Sequence, residues 1–392
     1  MTRLNAITAY LSFFVSLLPL MSAAQQIDSN TSIDGRVNVI NTAVPFLRIS
    51  PDARSGAMGD AGVAISPDAN SIYWNLSKIP FASQPGALSV TYTPWLTQLV
   101  NDVYLADLSG YKQLDETQSI AASLRYFSLG NVQFYDFRGM DQGQFHPREF
   151  AIDGGYARKL SDHWGLGIAL RYIYSNLASG YNPDNGSTYK AGQAVAGDVS
   201  TYYTNTVEND NGGSHTWSFG AAITNVGNKI SYTNGAAQKN FLPTNLGIGG
   251  VYTTQPDEYN KITFTIDLNK LLVPTPPNDS AGLANYYNIG VVEGIFKSFG
   301  DAPGGLKEEL EEVTYSIGVE YWYNDLFAVR GGYFHESKYK GDRQYFTAGL
   351  GLKYNSFGLN FSYLVPSGSG IQRNPLSNTL RFSLLFDFGK KQ

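Results

Sequence analysis

The chain has no cysteine, four histidines in 392 residues and no excess of positive charge. The missing cysteine removes disulfides, thiolate metal sites and thiol catalysis together. Lys and Arg number 28 against 33 Asp and Glu, a net charge of −5 that gives little electrostatic drive toward nucleic acid. Charged residues are 16% of the chain, below the roughly 25% of ordinary soluble domains. A mean hydropathy of −0.21 is still too polar for a bundle of membrane helices. Beyond the N-terminus no run of ~20 apolar residues occurs. What is abundant is Tyr (27), Phe (22) and Gly (41). Few charges, many aromatics and middling hydropathy point to a transmembrane β-barrel, whose strands alternate lipid-facing and lumen-facing residues.

Residues 1–24 read as a secretory signal peptide. Arg3 supplies the positive start, 6–20 the apolar stretch, and Ser22 and Ala24 the small residues at −3 and −1 of the cleavage site. The alternative, an N-terminal membrane anchor, is short for a span. The mature chain then starts at Gln25, and an exported chain without a spanning helix is periplasmic, secreted or an outer-membrane barrel.

From residue 86 onward period-2 patterning keeps returning. Leu166, Ile168, Leu170, Tyr172 and Tyr174 oppose Gly165, Gly167, Ala169 and Arg171. Ile262, Phe264, Ile266 and Leu268 oppose Thr263, Thr265 and Asp267. Such alternation marks half-buried strands. The strands run about 9–12 residues, the length a tilted strand needs to cross a bilayer. Connections alternate in size: short near 112–117, 161–162, 226–228, 254–259, 324–325 and 355–356, and long over 94–101, 129–147, 177–214, 234–241, 269–312, 336–342 and 366–376. Short periplasmic turns and long outer loops are the barrel pattern. The expected fold is an antiparallel outer-membrane barrel of about 14 strands over 86–392. They start near 86, 102, 117, 148, 163, 215, 229, 242, 260, 313, 326, 343, 357 and 377, and 131–138 competes for a place. Arg125, Arg171, Asp267, Glu320, Arg330 and Lys353 fall on lumen faces, as charge pairs to a plug or as a permeation path. Phe388 supplies an aromatic at the end of the last strand.

Residues 25–85 are unlike the rest. The Gly/Ala-rich run 53–64 allows close backbone approach in a confined space, which suits a hatch inside the lumen; a periplasmic extension is the alternative. The 269–312 loop holds Leu283, Tyr287, Val291, Ile295 and Phe299 at four-residue spacing, a helical insertion whose apolar face must fold onto the rim or dock a partner. Loop 177–214 carries Tyr181, Tyr189, Tyr202 and Tyr203 among Asn, Gly and Ser, a mixture that suits adaptable recognition and also an ordinary surface loop. No catalytic motif stands out, and the sequence calls for no cofactor and no metal. Ser214 beside His215 is the weak candidate for a lipid hydrolase. Asp198 with Glu208, Asn209, Asp210 and Asn211 is a weak calcium candidate, without the spacing of a dedicated loop.

The run 52–77 resembles the hatch of the long-chain fatty acid transporter (FadL-like) barrels: a small-residue segment, Asp68-Ala69, then Asn75-Leu76-Ser77 where those proteins have Asn-Pro-Ala. More closely, the runs 46–64 and 66–75, with 267–276, resemble the PorV family of type IX secretion outer-membrane proteins, over nearly the whole mature chain. That resemblance implies a non-enzymatic shuttle in the bacterial outer membrane. Such a shuttle binds secreted cargo proteins through a C-terminal β-sandwich signal domain at a large translocon barrel. It delivers them to a cell-surface attachment complex whose sortase removes the signal. Outer-membrane lipids surround the barrel. The residues expected to meet these partners are aromatic and apolar loop positions: Phe134, Tyr135 and Phe137; Tyr181, Tyr202 and Tyr203; and Tyr287, Val291, Ile295 and Phe299. The alternative is a FadL-like transporter of long-chain fatty acids or other hydrophobic molecules.

Overall fold

A computed structural model describes residues 39–95, 100–135, 138–179, 188–209, 212–233, 238–277, 280–365 and 378–389. The signal-peptide segment 1–24 lies outside the described residues. The strands in chain order are β1 (Gly86–Pro94), β2 (Val103–Gln113), β3 (Gln118–Leu129), β4 (Val132–Tyr135), β5 (Asp141–Phe145), β6 (Arg148–Lys159), β7 (Trp164–Asn176), β8 (Gly192–Glu208), β9 (Ser214–Gly227), β10 (Asn245–Gln255), β11 (Asn260–Leu271), β12 (Val313–Tyr323), β13 (Phe327–His335), β14 (Gln344–Tyr354), β15 (Phe357–Val365) and β16 (Leu380–Phe388). Fourteen of them form one closed antiparallel barrel, each paired with its neighbour in sequence except that β3 pairs with β6, and β1 closes on β16. β4 and β5 stand apart as a hairpin in the loop between β3 and β6. The competing segment 131–138 therefore contributes to an outer hairpin and not to the wall.

Chain chemistry sets the turns. Asn324 and Asp325 both hold positive φ (54° and 50°) in the tight link from β12 to β13, the paired left-handed conformation of a type I′ hairpin turn. Outward positions carry the apolar residues: Ile168, Leu170, Val199, Phe264, Ile266, Leu350 and Leu384 are all exposed on the isolated chain. On a soluble protein this much exposed apolar surface would aggregate; around a barrel it meets lipid. Trp164 packs on Tyr203 (5.0 Å between centroids) and Trp217 on Tyr252 (4.3 Å) near the short-turn end, where an aromatic belt faces the membrane interface.

The count of fourteen holds, but two placements change. The stretch 192–208, expected to be loop, is a strand of the wall, and the strand expected near 229 is absent from the wall. There Ile230 makes only an isolated bridge to Asn240. The two errors cancel, so β10 onward keeps its direction while β9 runs opposite to expectation. The reason is chemical: the outward apolar residues of β8, Val195, Val199, Tyr203 and Val207, are interrupted by Gln193, Gly197, Thr201 and Asn205, so its alternation is faint.

The interior is occupied by residues 43–82. Pro45–Arg48 and Leu76–Phe81 form 3-10 turns, and two short helices follow the first: α1 (Ala53–Gly56) and α2 (Ser71–Trp74). Asp52 caps α1, accepting from Ser55 N–H at 2.7 Å, and also accepts from Trp74 Nε1 at 2.8 Å. The segment touches the wall on many sides. Arg54 donates to both Glu320 carboxylate oxygens (3.0 and 2.8 Å) and to Asp68 (3.2 Å). Glu320 also accepts from Arg330, which reaches Asn360. Gly62 and Val63 N–H both donate to Asp267, at 2.7 and 2.8 Å. Asn75 accepts from Ser77 N–H and donates to the Thr201 carbonyl. Contact is close enough to demand glycine: at Gly332 a Cβ would lie 2.2 Å from Gly59 N, and Gly59 itself has φ 69°. Arg125, Arg171, Asp267, Glu320 and Arg330 all point inward and are buried, whereas Lys353 pairs with Asp387 at the short-turn end.

Candidate partner-docking site

The connection from β11 to β12 builds a helical structure on the outer side of the barrel. It holds three helices, α3 (Ser280–Asn288), α4 (Val291–Lys297) and α5 (Leu306–Glu311). The expected four-residue stripe does not run through one helix, because Gly290 takes an extended conformation and restarts the chain as α4.

Each helix is tied to the barrel rim differently. Tyr286 of α3 packs edge-on against Phe241 (5.5 Å), with Val273 in the same buried cluster. Lys229 sits 3.7 Å from the Phe241 ring centroid and donates to the carbonyls of Tyr287 (3.2 Å) and Tyr286 (3.5 Å), a cation at the C-terminal end of α3. α4 approaches the same ring through Gly294, where a Cβ would lie 2.9 Å from Phe241. α5 is clamped by two lysines: Lys270 donates to Glu309 (2.9 Å) and Glu312 (2.5 Å), and Lys340 to Glu308 (2.6 Å) and Glu312 (3.0 Å).

Burial alone would lower the Lys340 pKa, but hydrogen bonds to Glu308 and Glu312 outweigh it and raise the value above that of an ordinary lysine. A raised lysine stabilises the folded clamp below its unfolded pKa of about 10.4, and the contribution fades only above that. The Lys340 contribution therefore stays constant between neutral pH and mildly alkaline pH. Lys340→Ala is expected to cost about 1.5–3 kcal/mol locally, the range for hydrogen bonds to charged groups. Hydrogen exchange across 302–312 reads this loss as faster exchange there, with the barrel strands unchanged.

The clamps leave several apolar side chains uncovered, beside the exposed ion pair of Glu293 and Lys297. Val292 (64%), Phe296 (74%), Phe299 (53%), Leu306 (76%) and Leu310 (65%) are exposed. Phe296 and Phe299 also line a groove of about 680 Å³, with Pro274, Tyr286, Ile289 and Asp301 among the other walls. The surface has the make-up of an interface: apolar anchors beside a cleft, on a support fixed by buried pairs.

The residues expected to meet partners do not all come together here. Tyr287, Val291 and Ile295 are half-buried, and Phe299 alone of that set is exposed. Sequence reading missed Val292 and Phe296, which share an exposed side of α4 at i,i+4 spacing; Gly290 was the signal that the stripe restarts. Tyr135 is exposed on the β4–β5 hairpin, and Phe134 packs 6.1 Å from Phe145. Phe137 and Tyr181 lie outside the described residues.

Tyr202 and Tyr203 are corrected: they belong to β8 near the short-turn end, not to an outer loop. Tyr202 is buried against Phe81 of the interior segment (5.6 Å), because its strand position points inward. Tyr203 lies in the aromatic belt. The hydrolase pair fares no better, since His215 engages Tyr252 and Asn209 through its two ring nitrogens. Asp198, from the calcium grouping, is held inside the barrel by Arg171 and the Asn225 N–H.

The fold and the outer site can be set beside known proteins. In structure the chain is similar to the toluene transporter TbuX of Ralstonia pickettii: 11% identity, 87% of this chain and 100% of that one covered, TM-score 0.49. It is similar also to the toluene transporter TodX of P. putida, at 12% identity, 87% and 99% coverage and TM-score 0.48. A FadL homologue of Pseudomonas aeruginosa follows at 10% identity, 90% and 99% coverage and TM-score 0.43. No curated protein matches the sequence. The family model described as type IX secretion system protein PorV matches residues 32–278, more than half of the chain, across the interior segment and the wall through β11. The chain is an outer-membrane β-barrel that belongs to the PorV family of type IX secretion system proteins.

Proposed function

We propose that the protein is a non-enzymatic shuttle of type IX secretion. It binds secreted proteins bearing a C-terminal β-sandwich signal domain as they leave the translocon barrel, and it delivers them to the cell-surface attachment complex and its sortase. The observation that carries this reading is the exposed apolar set Val292, Phe296, Phe299, Leu306 and Leu310 on an insertion held rigidly by Lys229, Lys270 and Lys340. A surface fixed before binding loses little entropy when a partner arrives, so its anchors convert efficiently into affinity. The β4–β5 hairpin, with Tyr135 outward, adds a second contact for the same partner. The cavity beneath the outer rim, about 80 Å³, is small beside the ~300–1,000 Å³ of sites for drug-sized ligands, which supports binding over passage.

The test is direct titration of the full-length protein in detergent with a purified C-terminal signal domain. Saturable one-to-one binding is expected. No binding, with stoichiometric fatty acid or hydrocarbon retained by the purified barrel, would favour the transporter.

A further inference from the structure

The cavity beneath the outer rim carries a charge imbalance. Three guanidiniums line it, from Arg48, Arg171 and Arg343. Arg171 is held by Asp153 and Asp198, and Arg343 donates twice to Glu336, at 2.7 Å each. Arg48 has no carboxylate within 4.0 Å among the described residues. The one carboxylate on the lining, Asp60, already accepts from the Tyr345 hydroxyl at 2.6 Å and lies 3.5 Å from Arg381.

Three atoms on the lining have no protein hydrogen-bond partner: the hydroxyl of Ser50, which is 3% exposed, the Oδ1 of Asn245, and the Oδ1 of Asp60, which faces Arg381 at 3.5 Å. Glu336 acts on Arg48 only from beyond contact distance, and an enclosed cation with no counter-charge in contact is costly. A guanidinium matches a carboxylate in a fork of two parallel hydrogen bonds.

Size and polarity narrow the ligand further. A volume of about 80 Å³ accommodates two or three groups of water's ~30 Å³ share, enough for a carboxylate and its neighbouring atoms. Asn225, Asn245 and Asn269 on the wall can hydrogen-bond a polar stem, beside the apolar side chains of Leu47, Val63, Trp74 and Phe334. Solvent reaches the site, since the Arg343 side chain keeps 36% of its surface.

We propose that this cavity binds a single carboxylate on a polar carrier, with Arg48 as its counter-charge, the Ser50 hydroxyl donating to the carboxylate and the Asn245 Oδ1 accepting from an N–H of the carrier. The site is separate from the docking surface and stands whether or not that surface binds cargo. The carrier is either a small organic acid or the free end of a polypeptide, which share the same chemistry at this point.

Calorimetry on the full-length protein in detergent separates the cases with four probes: acetate, acetyl-triglycine, acetyl-triglycine amide and octanoate. Acetyl-triglycine is expected to bind at least about tenfold more tightly than its amide, because only the acid pairs with Arg48. Equal affinity for acetate assigns the site to small acids, and a clear preference for acetyl-triglycine assigns it to a polypeptide terminus. Arg48→Gln should weaken acid binding by about tenfold or more, and Arg48→Lys by less, since it keeps the charge and loses the fork. Equal binding of acid and amide to the unaltered protein would overturn the proposal without any variant. So would undiminished binding by a folded Arg48→Gln protein, octanoate binding tighter than acetyl-triglycine, or no heat with any probe.

Discussion

Replacing Phe296 and Leu310 together by Asp is expected to abolish capture of the signal domain while leaving the barrel folded. Both side chains are mostly exposed, so the free protein loses little by their removal. Exposed positions outside caps and buried pairs usually change stability by less than about 0.5 kcal/mol. At an interface the same rings would be covered, and truncating a central apolar anchor typically costs about 2 kcal/mol or more. Two such losses, with a new charge at each site, correspond to at least several hundredfold in Kd. Titration of the purified signal domain against the double variant measures the loss, and circular dichroism with thermal unfolding verifies the fold. An unchanged Kd would move cargo binding away from this insertion.

Arg54→Ala is expected to loosen the interior segment more than any other single substitution. Arg54 is buried and gathers Glu320, Asp68 and the Ser66 hydroxyl and carbonyl around one guanidinium. Its removal leaves Glu320 with Arg330 alone and Asp68 without its cation. Breaking a buried pair by deleting one partner costs about 3–5 kcal/mol, because the remaining charge stays out of water. The cost falls on the attachment of residues 44–82 to the wall. Their amides should exchange roughly a hundredfold or more faster, while β-ladder amides keep their protection. Arg54→Lys should recover part of the loss, since an ammonium cannot span both Glu320 oxygens and Asp68. Unchanged exchange over 44–82 in the alanine variant would mean that the backbone contacts, such as those of Asp267 with Gly62 and Val63, hold the segment without it.

Much of the barrel was legible because lipid enforces a strict pattern. Every crossing strand must put apolar residues outward, so Leu166–Tyr172 and Ile262–Leu268 announced themselves by alternation alone. β8 did not, since Gln193, Gly197, Thr201 and Asn205 interrupt its outward apolar residues and its flanks are rich in Tyr, Asn and Gly, the composition of a loop. The inward charges were also readable in position, but not their pairing. Nothing in the sequence says that Arg54 meets Glu320, 266 residues away, because that contact depends on barrel closure.

The docking surface was legible only as an unsatisfied helix. A stripe of four-residue spacing picked out apolar residues in the insertion, of which Phe299 is exposed and Tyr287, Val291 and Ile295 are half-buried. Tyr287 packs against the rim cluster of Phe241 and Val273, and the exposed residues Val292 and Phe296 follow Val291 and Ile295 by one position. Arg48 gave no sign at all. Its significance lies in the carboxylates that surround the other two guanidiniums and not it, which only three-dimensional placement reveals.

The most direct test of the shuttle is a pull-down of the tagged protein from its native outer membrane in mild detergent, with bound proteins and lipids both identified by mass spectrometry. The account predicts secreted proteins that share a C-terminal β-sandwich domain, recovered with a sortase or a very large barrel, and lost from the Phe296→Asp, Leu310→Asp double variant. Recovery of fatty acid or hydrocarbon at one molecule per barrel, with no such proteins, would contradict it.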